Sequence, residues 1–457
     1  MTVTRELIKV CTSASFADIP QPAVEVVKQA ILDDIGIALL GYSMVGSPII
    51  EYAKSVGGGV SESTLMGDGT KVSCQAAAAA NAQMAFDTDF NETGPGHHIM
   101  SPLAQTALAV GERVGSSGKD LISAVAAAYQ LSGQLHMALL PESVDSGQGT
   151  RHIPASVALT AGVLIGLDEE KLNHALGLAW FMIPMPTTPP YWHEWWRRRG
   201  MFHLAMVQHG MTAALLAEKG FEGPRDILDF DSHYDLDAVL ESPSSYHYPV
   251  HALQLKPWPS TRVDHQAIQA ICELVDEHGI ATEDIDELNF WGPSLFLSYP
   301  WDNPNPKDYW EALYSVQWGL AMAAFGYTPG RDWLSSERLS DPACQALAQK
   351  VTISEDTQAV VDTIEAEPTA TKLVIGDSSN KVEIIANGAR YTKQKLLSET
   401  LGSPTMPLTW DQVDSKFFAQ AVPVVGELQS ASIVNLLHRL EECDDLSELA
   451  ELVVGSV

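Results

Sequence analysis

Phe86-Asp87-Thr88-Asp89-Phe90-Asn91-Glu92-Thr93-Gly94-Pro95-Gly96-His97-His98-Ile99-Met100-Ser101-Pro102 is the segment around which the chain is organised. It contains three carboxylates, two threonine hydroxyls and two imidazoles, between an alanine-rich run and a second apolar run. Gly94, Pro95 and Gly96 interrupt helices, so the pattern predicts a polar loop between two buried helices. Functional groups are commonly placed on loops held by a rigid scaffold, which makes this loop a candidate chemical site.

The composition is typical of a folded globular protein with a large core. The chain has 457 residues, of which 46% are hydrophobic and 19% are charged, and this length favours two domains. The net charge of -31 argues against nucleic-acid partners, which bind basic surfaces, and against anionic membranes. An anionic substrate would therefore need a local cationic pocket.

Cysteine usage and hydropathy predict a cytoplasmic protein. The five cysteines are scattered and form no CxxC pair, which is typical of a reducing compartment. The first 20 residues have no apolar signal core, and no run approaches the roughly 20 apolar residues of a membrane-spanning helix.

Hydrophobic periodicity predicts a mainly α fold. A first helix begins after Pro20 and is expected to end at Gly41. Helical patterns continue to residue 253, and β-like runs then occur at 287–291 and 350–354, with a predicted hairpin turn at 377–380. We therefore expect a large all-helical domain built from both chain ends, residues 1–253 and 396–457, with a smaller α+β lid domain inserted at 254–395.

Several kinds of chemistry lack their usual sequence signals. No GxSxG nucleophile elbow and no GxGxxG dinucleotide turn is present. Asp89, Glu92, His97 and His98 could supply metal ligands, but the two histidines are adjacent and there is no HExxH. The sequence therefore predicts neither a metal nor another cofactor. Acid–base chemistry remains, because histidine exchanges protons near neutral pH.

Two distant cationic segments could complement the loop. One contains Lys256 in a Lys-Pro-Trp-Pro turn, and the other is the run Arg197, Arg198 and Arg199. The arginine run is either a surface cluster that balances neighbouring acids or the cationic pocket that a carboxylate substrate needs. The residues alone leave both interpretations open.

Four segments resemble the MmgE/PrpD family, nearly end to end. They are IPQPAVEVVKQAILDDIGIALLG at 19–41, DTDFNETGPGHHIMSPLAQTALAVGE at 87–112, LKPWPSTRVDHQAIQAI at 255–271 and GSPTMPLTWDQVDSKF at 402–417. This family includes 2-methylcitrate dehydratase, cis-aconitate decarboxylase and iminodisuccinate epimerase. The resemblance implies a helical domain with an α+β lid, usually in a homodimer, and a small carboxylate substrate.

The resemblance also implies site residues. The candidate catalytic residues that match family motifs are Asp89, His98, Lys256, His152 and His265. Thr93 is a candidate substrate-binding residue, as are Arg198, Arg199 and Trp318, which stand where this chain departs from the family. Arg199 is nearest to the position of a family lysine, and Trp318 replaces a tyrosine. Arginine is a poor proton shuttle and indole cannot replace a phenol as an acid. The departures suggest a substrate with a larger apolar part than methylcitrate.

Three functions follow from these residues. The first is a lyase that dehydrates a citrate-like tricarboxylate, such as 2-methylcitrate or an alkylcitrate. In this reaction His98 or an Asp89-assisted group removes a proton α to a carboxylate. Lys256 and Arg199 hold carboxylates, and His152 or His265 assists loss of hydroxide.

The second function is that of a decarboxylase, isomerase or epimerase of a related di- or tricarboxylate. The third is a carboxylate-binding homologue that has lost catalysis.

Overall fold

The structure is a computed structural model, and it describes residues 2–12, 15–94, 98–139, 151–181, 202–241, 251–356 and 378–455. Within those ranges the α-helices of the first half are α1 (Val3–Thr12), α2 (Gln21–Gly57), α3 (Cys74–Phe86), α4 (Met100–Val114), α5 (Gly118–Met137), α6 (His152–Leu164), α7 (Glu169–Phe181), α8 (Phe202–Glu218) and α9 (Leu236–Leu240).

The second half of the chain combines shorter helices with a small sheet. The helices are α10 (His265–His278), α11 (Tyr309–Tyr314), α12 (Val316–Phe325), α13 (Arg331–Leu334), α14 (Ser336–Leu339), α15 (Pro342–Ala348), α16 (Trp410–Val425), α17 (Glu427–Leu437) and α18 (Ser447–Leu452). The strands are β1 (Ser63–Thr64), β2 (Lys71–Val72), β3 (Ile285–Gly292), β4 (Val351–Glu355), β5 (Ser379–Ala386) and β6 (Ala389–Leu396). The prediction of a mainly helical chain is confirmed.

Helix α2 is longer than the sequence predicts. Gly41 does not end it, and the helix continues through Pro48 to Gly57. A Cβ atom at Gly41 would lie 1.9 Å from the carbonyl oxygen of Met84 in α3. Gly41 is therefore needed for close packing of two helices, whereas the prediction interpreted it as a helix stop.

Helix α3 is buried along nearly all of its length and leads into the polar loop. Its N-terminus is capped by Ser73, whose hydroxyl accepts the N–H of Ala76. Its alanine-rich sequence lets neighbouring helices approach closely, and it packs against α2, α4 and α8. The loop therefore begins at a fixed point after Phe86, and α4 begins at Met100, so the loop connects two buried helices, as the sequence predicts.

The larger sheet has the strand order β4-β3-β5-β6. Strands β3 and β4 are parallel, and their predicted positions are confirmed, whereas β3–β5 and β5–β6 are antiparallel. The predicted hairpin turn at 377–380 is wrong at Ser379 and Asn380, which are the first residues of β5, while residue 377 and the predicted strand before it lie outside the described residues. The observed turn is Asn387-Gly388, with φ values of 53° and 77°, which suit a tight two-residue hairpin.

Two large hydrophobic clusters divide most of the core. The first contains residues between 7 and 255 together with residues between 408 and 453, such as Ile35 and Phe417. The second contains residues between 258 and 386, such as Phe290 and Ile384. The domain boundaries at 253/254 and 395/396 stay a prediction. Among the described residues, no helix is long and apolar enough to cross a membrane.

Candidate active site

The loop after α3 is polar in sequence but buried in the structure. Residues 88–93 are all buried. Asp89 has a φ of 46° and His98 a φ of 55°, both in the left-handed region. For a non-glycine residue this conformation costs about 1–2 kcal/mol, although aspartate and histidine tolerate it better than most. Contacts from distant segments must therefore hold the loop in place.

A backbone bridge joins the loop to the segment that carries Lys256. The N–H of Thr93 donates to the carbonyl of Gln254 at 2.9 Å, and the N–H of Gln254 donates back to Thr93 at 2.8 Å. Gly94 follows at a place where a Cβ atom would lie 2.5 Å from the hydroxyl oxygen of Tyr129. A glycine is thus required for this close approach, and the bridge brings Lys256 to Asp89.

Lys256 is a buried ammonium with three protein acceptors. Its Nζ donates to Asp89 Oδ1 at 2.9 Å, to the Asp89 carbonyl at 2.9 Å and to the Ser260 carbonyl at 3.0 Å. A lysine has three N–H donors, so all of them are used. In this structure Lys256 fixes both the side chain and the backbone of Asp89, and it could bind a substrate carboxylate only by exchanging one of these acceptors.

His98 is a second neighbour of the Asp89 carboxylate. Its Nε2 lies 3.6 Å from Asp89 Oδ1, and its ring packs edge-on against Phe86 with 5.7 Å between centroids. The His98 side chain is 19% exposed, whereas that of Asp89 is 4% exposed. The structure therefore brings Asp89, His98 and Lys256 together, with His98 as the most accessible of the three.

His265 lies in the same region as a neutral imidazole. Its Nδ1 accepts from Arg262 Nη1 at 3.0 Å, which leaves the proton on Nε2. Burial, followed by the charges of Arg262 and Lys256, holds the pKa of His265 well below its ordinary value. The role of His265 as an acid stays a prediction. As an acid it would have to donate the proton on Nε2, because its lowered pKa disfavours the doubly protonated ring.

His152 is the first residue of α6 and is buried. Its Nδ1 lies 2.8 Å from the hydroxyl of Ser132 in α5, and its ring packs edge-on against His136. The preceding residue, Arg151, donates to Asp231 at 2.7 Å and so fixes the start of the helix. The proposed catalytic role of His152 stays a prediction.

The substrate-binding predictions have different structural contexts. Thr93 lies in the backbone bridge described above. Trp318 is buried in the second hydrophobic cluster, and its indole N–H donates to the carbonyl of Trp333 at 2.9 Å. A substrate contact by Trp318 would therefore have to use the carbon atoms of the indole ring and not its N–H. Arg198 and Arg199 lie outside the described residues.

Sequence reasoning missed a second buried lysine beside the loop. Lys416 in α16 is paired with Asp33 of α2 at 2.7 Å. The same ammonium donates to the carbonyls of Phe90 at 3.0 Å and Lys256 at 2.8 Å. A signal was present, because Asp33-Asp34 interrupts an apolar helical stretch and buried carboxylates need partners.

Three buried carboxyl groups, those of Asp34, Glu92 and Asp264, lie in the loop or close to it. Asp34 accepts hydrogen bonds from the hydroxyl of Ser101 and from Gln105 Nε2. Burial raises the pKa of Asp34 to about 7 and that of Asp264 also to about 7. Glu92 accepts the N–H of Met100 at 2.8 Å, and burial raises its pKa to about 8. With these raised pKa values the three groups are only partly ionised at neutral pH, which limits the negative charge close to the site.

The metal alternative would combine Asp89, Glu92, His97 and His98. His97 lies outside the described residues. Among the described residues, no group of three or more His, Cys, Asp or Glu side chains could hold a metal ion. Glu92 instead binds the first residue of α4 and so connects the loop to that helix.

We expect Glu92→Gln to change the pH dependence of stability. The pKa of Glu92 rises from 4.5 to about 8 on folding, so the folded protein retains a proton that the unfolded chain releases. Wild-type stability should therefore fall as pH rises from about 4.5 to 8, and the neutral amide should remove this loss. At pH 9 the variant should be more stable by about 2–4 kcal/mol, and at pH 4 the two should be similar.

Urea unfolding at pH 4, 7 and 9 measures this difference. The matched control is Glu51→Gln, because Glu51 is exposed on α2. Its stability relative to wild type should not change with pH. Equal shifts for the two variants would contradict the assignment of a buried, protonated Glu92.

Comparison with known proteins shows the family of the chain. The model of the MmgE/PrpD N-terminal domain matches residues 5–244, and that of the MmgE/PrpD C-terminal domain matches residues 258–442. The chain belongs to the MmgE/PrpD family. Asp89, His98 and His152 lie in the first matched region and His265 and Lys416 in the second. Lys256 lies in the interval between them.

Two curated relatives align along most of this MmgE/PrpD chain. Cis-aconitate decarboxylase from Mus musculus is 23% identical, over 94% of this chain and 88% of the relative. Cis-aconitate decarboxylase from Homo sapiens is 23% identical, over 94% of this chain and 89% of the relative. The similarity is therefore weak in identity but nearly complete in length.

Proposed function

We propose that the protein is a cofactor-free lyase that dehydrates a citrate-like tricarboxylate, such as 2-methylcitrate or an alkylcitrate. One observation carries the proposal: Lys256 Nζ and His98 Nε2 lie 2.9 Å and 3.6 Å from the same oxygen of Asp89. A buried carboxylate, a partly exposed imidazole and an ammonium are the groups that proton transfer next to a carboxylate needs.

In the proposed reaction His98 acts as the base. It removes the proton from the carbon next to a substrate carboxylate, and Asp89 stabilises the imidazolium that forms. The electrons of the C–H bond form the carbon–carbon double bond as the hydroxyl group leaves with a proton, as water. His152 or His265 would supply that proton, while Lys256, Thr93, Arg198 and Arg199 would hold carboxylates.

Decarboxylation is the second candidate, and one observation favours it. Both curated relatives described above are cis-aconitate decarboxylases, aligned along 94% of this chain. The same site could stabilise the carbanion left by loss of carbon dioxide and then deliver a proton to carbon. Isomerisation or epimerisation of a related diacid would use the same proton transfer.

Product analysis separates these reactions. The purified protein is incubated with citrate, 2-methylcitrate, cis-aconitate and iminodisuccinate, and products are followed by NMR. Loss of water from a citrate supports the proposal. Release of carbon dioxide from cis-aconitate, or inversion of a stereocentre, would replace it with the alternative reactions. Tight binding without any reaction would indicate a non-catalytic carboxylate-binding protein.

A homodimer is a further part of the proposal, because it is the usual assembly of the family. Light scattering coupled to size-exclusion chromatography measures the mass in solution. A species of twice the 49.5 kDa chain mass supports it, and a monomer at micromolar concentration contradicts it.

A further inference from the structure

The ammonium of Lys416 connects four parts of the chain. Lys416 lies in α16, its ion-pair partner Asp33 lies in α2, and its other acceptors are the carbonyls of Phe90 in the loop and Lys256 in the following segment. Its side chain is 7% exposed, and its Nζ lies 3.9 Å from the centroid of the Phe90 ring. All three N–H donors thus go to protein acceptors, so Lys416 has none left for a substrate.

Two lysines hold consecutive carbonyls of the loop. Lys256 binds the carbonyl of Asp89, and Lys416 binds the carbonyl of Phe90. Asp89 has a left-handed backbone, so these two bonds constrain a turn where the backbone is strained. Lys416 also binds the carbonyl of Lys256, which fixes the backbone of Lys256 relative to Lys416.

We infer that Lys416 is a positioning residue that holds the Asp89 turn and Lys256 in register, which makes α16 part of the active site. The catalytic part of this inference rests on the proposed function. A displacement of about 1 Å in a catalytic group can reduce turnover by about 100-fold. Loss of Lys416 should therefore reduce kcat by about 10- to 100-fold, with a smaller change in KM.

A pair of variants separates the effect of Lys416 on catalytic geometry from its effect on folding stability. Lys416→Met leaves Asp33 as an unpaired buried carboxylate and should destabilise the protein. The double variant Asp33→Leu, Lys416→Met removes both charges and should recover much of that stability. Its kcat should stay low, because the carbonyls of Phe90 and Lys256 still lack their donor. Recovery of kcat along with stability would overturn the inference.

Lys28 provides a matched control. It is also a buried lysine that joins α2 to the C-terminal part of the chain, through an ion pair with Glu441 at 2.9 Å. Lys28→Met should lower the melting temperature but leave kcat within about twofold at a temperature where the protein is folded. A loss of kcat equal to that of Lys416→Met would show a general effect of weakening this part of the core.

Hydrogen exchange gives a readout that does not need a substrate. In the double variant, amides of the loop between α3 and α4 should exchange at least 10-fold faster than in wild type, whereas Lys28→Met should leave them unchanged. If wild type turns over no carboxylate but the loop exchange rises, the proposed function fails and the positioning role stands. Unchanged loop exchange overturns the positioning role whatever the activity.

Discussion

His98→Ala is expected to abolish turnover of the true substrate while the protein stays folded. The His98 side chain is partly exposed, and its Nε2 lies 3.6 Å from the buried carboxylate of Asp89. Loss of a general base typically reduces the rate by about 10²- to 10⁴-fold. Because the side chain is partly exposed, the melting temperature should fall only modestly. Steady-state kinetics with circular dichroism measures both.

The backbone at His98 calls for a second variant. Its φ of 55° strains an alanine, whereas asparagine tolerates the left-handed region well. His98→Asn should therefore keep more stability than His98→Ala and be equally inactive. His278→Asn, on the far end of α10, serves as a control for the substitution itself. Undiminished turnover by His98→Asn would contradict the assignment of His98 as the base.

Lys256→Met is expected to lose both turnover and stability. The ammonium is 1% exposed and pairs with Asp89, so its removal leaves a buried carboxylate without its cation. Breaking a buried pair from one side costs about 3–5 kcal/mol. Two carbonyls, of Asp89 and Ser260, also lose their donor. Urea unfolding measures the loss, and turnover should fall below detection.

A double variant separates the two effects. Asp89→Asn, Lys256→Met removes both charges, and asparagine suits the left-handed backbone at position 89. It should be more stable than Lys256→Met but just as inactive. Lys54→Met, which breaks the exposed pair with Asp68, should cost less than about 1 kcal/mol. If Lys256→Met loses no more stability than Lys54→Met, the result would contradict the assignment of a buried ion pair between Lys256 and Asp89.

The sequence predicts part of this site well. Sequence motifs indicate Asp89, His98 and Lys256, and the structure brings them together although Asp89 and Lys256 are 167 residues apart in the chain. The motifs do not indicate Lys416 and Asp33, although both residues lie in segments that carry the family resemblance. Periodicity assigns each of them to a helix but does not report which polar groups meet when helices from opposite chain ends pack.

The differences in the fold have the same origin. Local propensity predicts a helix end at Gly41, but a glycine is needed there because the Met84 carbonyl of a neighbouring helix lies too close for a side chain. The polar cluster at 377–380 predicts a turn, but Ser379 and Asn380 lie in β5, and Asn387-Gly388 carries the stronger signal for a tight turn. Element types thus followed from patterns, while helix length and long-range partners depended on tertiary packing.

Proton transfer to or from carbon at the Asp89–His98–Lys256 group is the central claim, and solvent deuterium tests it most directly. The purified protein, treated with a chelator, is incubated in D₂O with citrate, 2-methylcitrate or cis-aconitate, and the recovered compounds are analysed by NMR and mass spectrometry. We predict deuterium on a carbon next to a carboxylate with wild type, through reversal of the proton removal, hydration of cis-aconitate or protonation after decarboxylation, and none with His98→Asn. Absence of deuterium with wild type, or equal incorporation by both proteins, would contradict the claim.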